Sequence, residues 1–168
     1  MIITLTGFMG CGKSSVGRCL SELLCCPFMD LDAVIEESQG RSIPDIFAAE
    51  GEAAFRQMEV EALSRIIEAP QLRGNVVVAL GGGAVMTPEC AELVRKKAHC
   101  IYLRASVDTL VSHLENEAAG RPMLQGASLR SRIEELMALR SSTYEATAHD
   151  VIDTDGKTVE EVAAEIKF

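Results

Sequence analysis

Positive charge is scarce in this sequence. Only 16 lysines and arginines stand against 25 aspartates and glutamates in 168 residues, a formal net charge of −9 at pH 7. No basic stripe of the kind that a nucleic-acid surface requires interrupts that balance, so DNA and RNA are excluded as partners. Long apolar runs are missing too. No segment approaches the ~20 residues of a membrane span, and Met1 leads directly into an apolar strand without a signal-peptide pattern, so a soluble, cytoplasmic protein is expected. Paired cysteines are the third absence. Cys11, Cys19, Cys25, Cys26, Cys90 and Cys100 form no C-x-x-C unit and no metal-finger spacing, which leaves six free thiols. The length fits one domain, residues 1–168.

What is present concentrates in Gly7-Phe8-Met9-Gly10-Cys11-Gly12-Lys13-Ser14, a match to the phosphate-binding pattern G-x-x-x-x-G-K-[ST]. Its context fits as well as its letters. Ile2 to Thr6 reads as a buried strand, and Ser15 to Leu24 places Val16, Leu20, Leu23 and Leu24 on one helical face. In such a strand-loop-helix unit the glycines let backbone N–H groups point inward, Lys13 supplies a mobile positive charge, and the Ser14 hydroxyl can ligate Mg²⁺. Cys11, beside a lysine among inward N–H groups, sits where a thiolate would be favoured or is simply a tolerated loop residue.

Strand and helix then alternate. Pro27 to Asp32 makes a short strand, a helix from Ala33 is closed by Gly40, Pro44 opens another, and Gly51 separates it from a long amphipathic helix, Glu52 to Ile67. Val76 to Leu80 is an unbroken apolar run suited to a strand covered on both faces. Thr87 is the N-cap of a helix with Pro88 in its first turn, Cys100 to Leu103 is a strand, and Ser106 opens a helix to Leu114. Residues 116–125 lose apolar periodicity and predict a mobile loop, before a helix over Leu129 to Tyr144, a strand at Val151-Ile152, and a capping box at Thr158 to Glu161. The pattern predicts an α/β fold: a five-stranded, mostly parallel sheet with helices on both faces and a ligand crevice at the carboxyl ends of its strands.

Several charged residues can reach that crevice. Asp30 and Asp32, two apart at a strand end, should share a face, one serving Mg²⁺ and the other a substrate hydroxyl; Asp32 is equally suited to capping the next helix. A generic ATPase with this loop ends a strand like Val76 to Leu80 in aspartate, whereas here Gly81-Gly82-Gly83 follows, so Asp30 is the substitute on the metal side. The three glycines are either a flexible exit or a backbone surface that a ligand approaches closely. Arg56 and Glu59, three apart on a helix, read by themselves as a surface ion pair. Arg140 can face the crevice. Arg121, within the predicted loop, can act as a lid arginine that neutralises charge on a transferred phosphoryl.

Taken together, the chain resembles the shikimate kinases, small P-loop kinases related in fold to nucleoside-monophosphate kinases. The resemblance rests on G-F-M-G-C-G-K-S-S-V-G at Gly7 to Gly17, F-M-D-L-D at Phe28 to Asp32, G-R-S-I-P-D-I-F at Gly40 to Phe47, F-R-Q-M-E at Phe55 to Glu59, L-G-G-G-A-V at Leu80 to Val85, and R-P-M-L at Arg121 to Leu124. It implies a three-layer P-loop NTP hydrolase-type fold with a lid at about 116–125, and ATP and shikimate as substrates. It assigns Asp32, Arg56, Gly81, Gly82, Gly83 and Arg140 to shikimate, and Gly10, Cys11, Gly12, Lys13, Ser14, Ser15 and Arg121 to the nucleotide. Ser14, and Asp30 through water, would hold Mg²⁺, with Lys13, Asp32 and Arg121 catalytic. It also implies a monomer acting in aromatic amino-acid synthesis. His113 departs from the pattern, standing where the family often has an arginine against adenine, and the adenine-side loop at Asp153 to Gly156 is a weak match. Two rivals are another small-metabolite kinase, such as one acting on gluconate, and a nucleotide-binding switch. The second lacks support, because no guanine-reading N-K-x-D motif is present.

Overall fold

The computed structural model describes residues 1–69, 74–115 and 128–167. Its centre is a five-stranded sheet built from β1 (Ile2–Thr6), β2 (Phe28–Asp30), β3 (Val76–Ala79), β4 (His99–Arg104) and β5 (Asp150–Asp153). The order is β2-β3-β1-β4-β5, and every pairing is parallel. β1 lies in the middle with Ile3 opposite Val77 and His99, and its side chains are buried on both faces from Ile3 to Thr6. Burial on both faces is why β3 reads as an unbroken apolar run rather than an alternating one.

The helices are α1 (Lys13–Leu23), α2 (Leu31–Gln39), α3 (Ile43–Glu50), α4 (Glu52–Glu68), α5 (Pro88–Lys97), α6 (Val107–Leu114), α7 (Leu129–Thr147) and α8 (Val159–Glu165). Strand order sets their sides. The step from β1 to β2 runs one way across the sheet, while the steps β2 to β3, β3 to β4 and β4 to β5 run the other way. Right-handed crossovers therefore put α1 on one face and α2 to α7 on the opposite one. Contacts agree, since α1 packs on α8, whereas α5 packs on both α4 and α7. This is the three-layer P-loop NTPase-type α/β fold. No helix among the described residues is long and apolar enough to cross a membrane.

Local signals fall largely where expected. Ser42 caps α3 with Pro44 in its first turn, Gly40 ends α2 in the left-handed region at φ 66°, and Gly51 breaks α3 from α4 at φ 86°. Two expectations are corrected. β2 stops at Asp30 and α2 starts at Leu31, so Asp30, not Asp32, is the N-cap, its carboxylate accepting from the N–H groups of Asp32 and Ala33. Thr87 makes no side-chain cap to α5.

The turn out of β1 tolerates no side chain. Gly7 has φ 148°, and a Cβ there would lie 2.6 Å from the Leu103 carbonyl oxygen of β4 and 2.9 Å from Cys11 Sγ. Backbone oxygen cannot step aside as a flexible side chain can. Gly7→Ala should cost at least about 2 kcal/mol in urea-unfolding free energy through overpacking and strain; an unchanged midpoint would contradict the close approach.

Candidate active site

At the carboxyl ends of β1, β2 and β3 the surface opens into a cleft of about 470 Å³. One wall is the loop between β1 and α1: Gly10, Gly12, Lys13, Ser14 and Ser15 all line it. Gly12 precedes α1 at φ 94° and has no side chain with which to cap it, so the first-turn N–H groups are left for a ligand, at the positive end of the helix dipole. The Lys13 ammonium donates to the carbonyls of Gly7 at 2.8 Å and Phe8 at 3.1 Å, folded back over its own loop. Cys11 stands apart from the wall. Its N–H donates to the Phe8 carbonyl and its thiol is in the core.

The opposite wall carries the two aspartates. They reach the cleft although they do not share a strand, because Asp30 ends β2 and Asp32 is in the first turn of α2. The Ser14 hydroxyl donates to Asp30 Oδ2 at 2.7 Å. Hydroxyl and carboxylate together form a hard oxygen donor pair suited to Mg²⁺, which keeps most of its shell as water and phosphate. Among the described residues no cluster of three or more His, Cys, Asp or Glu could hold a metal, consistent with so sparse a protein contribution. Burial, followed by the charge of Asp30, raises the Asp32 carboxyl above the ordinary range, against the pull of Lys13 and Arg56.

The exit of β3 joins these walls to a buried charge cluster. Gly81 and Gly82 line the cleft, whereas Gly83 lies against the Arg56 guanidinium and is not on the wall. A Cβ on Gly81 would meet Asp32 Oδ1 at 2.8 Å and Glu59 Oε2 at 3.0 Å; on Gly82, Arg140 Nη1 at 3.6 Å; on Gly83, Arg56 Cζ at 2.7 Å. None of the three has a positive φ. At Gly81 and Gly83 the approach of charged side chains, not backbone conformation, is what favours glycine; at Gly82 the tightest neighbour is the Met9 backbone nitrogen at 3.3 Å. Arg56 and Glu59 do pair, at 2.7 Å, but not at the surface: Glu59 is 0% exposed and the Arg56 side chain 16%. Arg140, 5% exposed on α7, lies over the Phe8 ring of the phosphate loop at 6.0 Å. Asp32 Oδ1, Glu59 Oε2 and Arg140 Nη1 are buried and have no hydrogen-bond partner among the described residues. Such orphans are costly unless a ligand or water completes them.

His113 lines the cleft as well. A carbonyl only accepts, so its Nδ1–H donates to Gly10 O at 2.7 Å. In the adenine-side loop Asp155 accepts from the Ser106 N–H at 3.1 Å. Arg121 and the expected lid at about 116–125 lie outside the described residues.

Comparison with known proteins gives this geometry a family. Residues 9–167 match the family model described as shikimate kinase. The chain belongs to the shikimate kinase family. It is 41% identical over 167 residues to a shikimate kinase of Symbiobacterium thermophilum, covering 99% of this chain and 94% of that one. Its structure is similar to the shikimate kinase of Acinetobacter baumannii in complex with shikimate, with TM-score 0.91, 33% identity, and coverage of 98% of this chain and 89% of that one. It is also similar to the shikimate kinase of Aquifex aeolicus, with TM-score 0.83, 32% identity, and coverage of 98% and 93%. The chain is thus a member of a family of kinases that transfer phosphate to shikimate.

Two residues beside the cleft were not assigned to it from the sequence. Glu59 lies on the buried stripe of α4 with Phe55, Ala62, Leu63 and Ile66, and Tyr144 on that of α7 with Ile133, Leu136 and Arg140. A charge on an apolar stripe was the available signal, and the (i, i+3) spacing of Arg56 and Glu59 masked it.

Burial pushes the Glu59 carboxyl up to about 7 against the pull of Arg56, with the Asp32 charge adding to the rise. The folded protein therefore holds this proton more tightly than the unfolded chain does. Its contribution is fully present below the ordinary value of 4.5 and is lost as pH climbs through about 7. Glu59→Gln stays neutral throughout, so from pH 4.5 to about 8 the wild type should lose up to about 3 kcal/mol of unfolding free energy relative to the variant. A difference independent of pH would contradict the assignment.

Proposed function

We propose that the protein transfers the γ-phosphoryl of ATP to the 3-hydroxyl of shikimate, giving shikimate 3-phosphate and ADP. The observation that carries this is the set of orphaned buried atoms beside Gly81 and Gly82: a carboxylate oxygen of Asp32 that needs a donor, and a guanidinium nitrogen of Arg140 that needs an acceptor. Shikimate offers ring hydroxyls for the first and a carboxylate for the second, and Arg56 adds a planar cation for the same carboxylate.

In this reading Asp32 orients the 3-hydroxyl and accepts its proton as the oxygen attacks the γ-phosphorus, while the bond to the β–γ bridging oxygen breaks and ADP leaves. Its raised proton affinity makes it a stronger base than an ordinary aspartate. Lys13 leaves the Gly7 and Phe8 carbonyls for the outer phosphates, and the N–H groups at the start of α1 hold the remaining phosphate oxygens. Ser14, and Asp30 through water, would hold Mg²⁺, which when bound neutralises phosphate charge. Arg121 serves as lid arginine on the strength of the family pattern at Arg121 to Leu124. Residues 1–168 act as one cytoplasmic, monomeric catalytic unit in aromatic amino-acid synthesis, without nucleic-acid partners.

The test is ADP release from ATP and Mg²⁺ with shikimate, gluconate or a nucleoside monophosphate. Shikimate alone should stimulate, Asp32→Asn should lower turnover on the order of 10²- to 10⁴-fold, and Arg56→Ala should act mainly on the KM for shikimate. Stimulation by gluconate instead, or slow hydrolysis indifferent to every acceptor, would contradict the proposal.

A further inference from the structure

We propose that Tyr144 is a positioning residue for acceptor recognition, its hydroxyl holding the Gly82 carbonyl so that Arg140 stays turned toward the acceptor's carboxylate. The inference rests on the acceptor site proposed above. Tyr144 is fully buried on α7, one helical turn beyond Arg140, with its ring 5.1 Å from that of Tyr102 and its hydroxyl donating to the Gly82 carbonyl. Gly82 in turn lines the cleft, and a Cβ there would lie 3.6 Å from Arg140 Nη1, the nitrogen that has no hydrogen-bond partner among the described residues. Hydroxyl, carbonyl and guanidinium therefore converge at one point of the acceptor wall.

Donor chemistry allows one proton order. A guanidinium only donates, a carbonyl only accepts, and a phenol does both. The Tyr144 proton therefore goes to Gly82, and its oxygen lone pairs face Arg140. Burial raises the hydroxyl's proton affinity and outweighs the opposing charge and hydrogen bonding of Arg140, so the donor stays in place at working pH. The Tyr144 oxygen takes a side-chain hydrogen bond from Arg140, which fixes the guanidinium and leaves Nη1 available to a ligand. With phenylalanine at 144, the Gly82 carbonyl loses its donor and the guanidinium loses that anchor, so Nη1 is less firmly aimed at the acceptor's carboxylate.

The experiment compares Tyr144→Phe with Tyr102→Phe, which removes a hydroxyl from the same ring pair but none bonded to the glycine exit. Tyr144→Phe should raise the KM for shikimate on the order of tenfold, leaving kcat and the KM for ATP within about twofold, and Tyr102→Phe should change neither KM. Equal effects of both variants on both substrates would mean general loosening and overturn the proposal, as would an unchanged KM for shikimate in Tyr144→Phe. A second measurement uses the folded wild type. The chain has only 2 tyrosines, so fluorotyrosine labelling gives two ¹⁹F resonances, assigned with Tyr102→Phe. Shikimate should shift the Tyr144 resonance with the same saturation as binding, and a resonance that does not move overturns the proposal. If the wild type shows no response to shikimate in turnover or binding, the acceptor reading itself fails; a normal response with an unaffected Tyr144→Phe sinks only the role of Tyr144.

Discussion

Where β3 ends, charge from other elements fills the space that side chains would occupy. Asp32 and Glu59 close on Gly81 and Arg56 on Gly83 at distances a Cβ would obstruct, and Arg140 lies within van der Waals range of a Cβ on Gly82. That constraint governs the rest of the site. It brings two carboxylates and two guanidiniums, carried by α2, α4 and α7, against one short stretch of backbone. Burying four charges together would be ruinous without near-complete pairing. Arg56 with Glu59 supplies one pair, and the remaining unpartnered atoms mark where a ligand of matching donors and acceptors fits. Carboxylates crowded in this way have a raised proton affinity, which makes each a stronger base once ionised.

The phosphate loop is not independent of this cluster. Phe8 gives its carbonyl to Lys13 on one side and its ring face to Arg140 on the other. Asp30 is similarly divided, with one oxygen capping the helix that carries Asp32 and the other accepting from Ser14. The proposed nucleotide and acceptor sites therefore share residues. Gly7 makes the arrangement possible by letting the loop leave β1 directly against the β4 carbonyl of Leu103.

The layered fold was legible because its signals are local: G-x-x-x-x-G-K-[ST] after an apolar strand, Pro44 and Gly51 at helix boundaries, and an apolar run ending in three glycines. Asp30, Asp32, Arg56 and Arg140 were legible as types of residue in the right segments. Their geometry was not. The Asp30 and Asp32 spacing argued for one strand face, yet the chain turns into α2 between them because Asp30 caps that helix. Arg56 and Glu59 looked like an exposed pair since the (i, i+3) spacing is the same buried or exposed, and only the packing of α4 against α5 and the β3 exit decides which. Tyr144 depends on a contact 62 residues away in sequence, beyond any local pattern.

The most direct test of the account is a crystal structure with shikimate and ADP bound. The account predicts a ring hydroxyl within ~3 Å of Asp32 Oδ1 and the carboxylate on Arg56 and Arg140 Nη1, so that the unpartnered atoms gain their missing partners. Shikimate bound elsewhere, with Asp32 Oδ1 and Arg140 Nη1 still unpartnered, would contradict it.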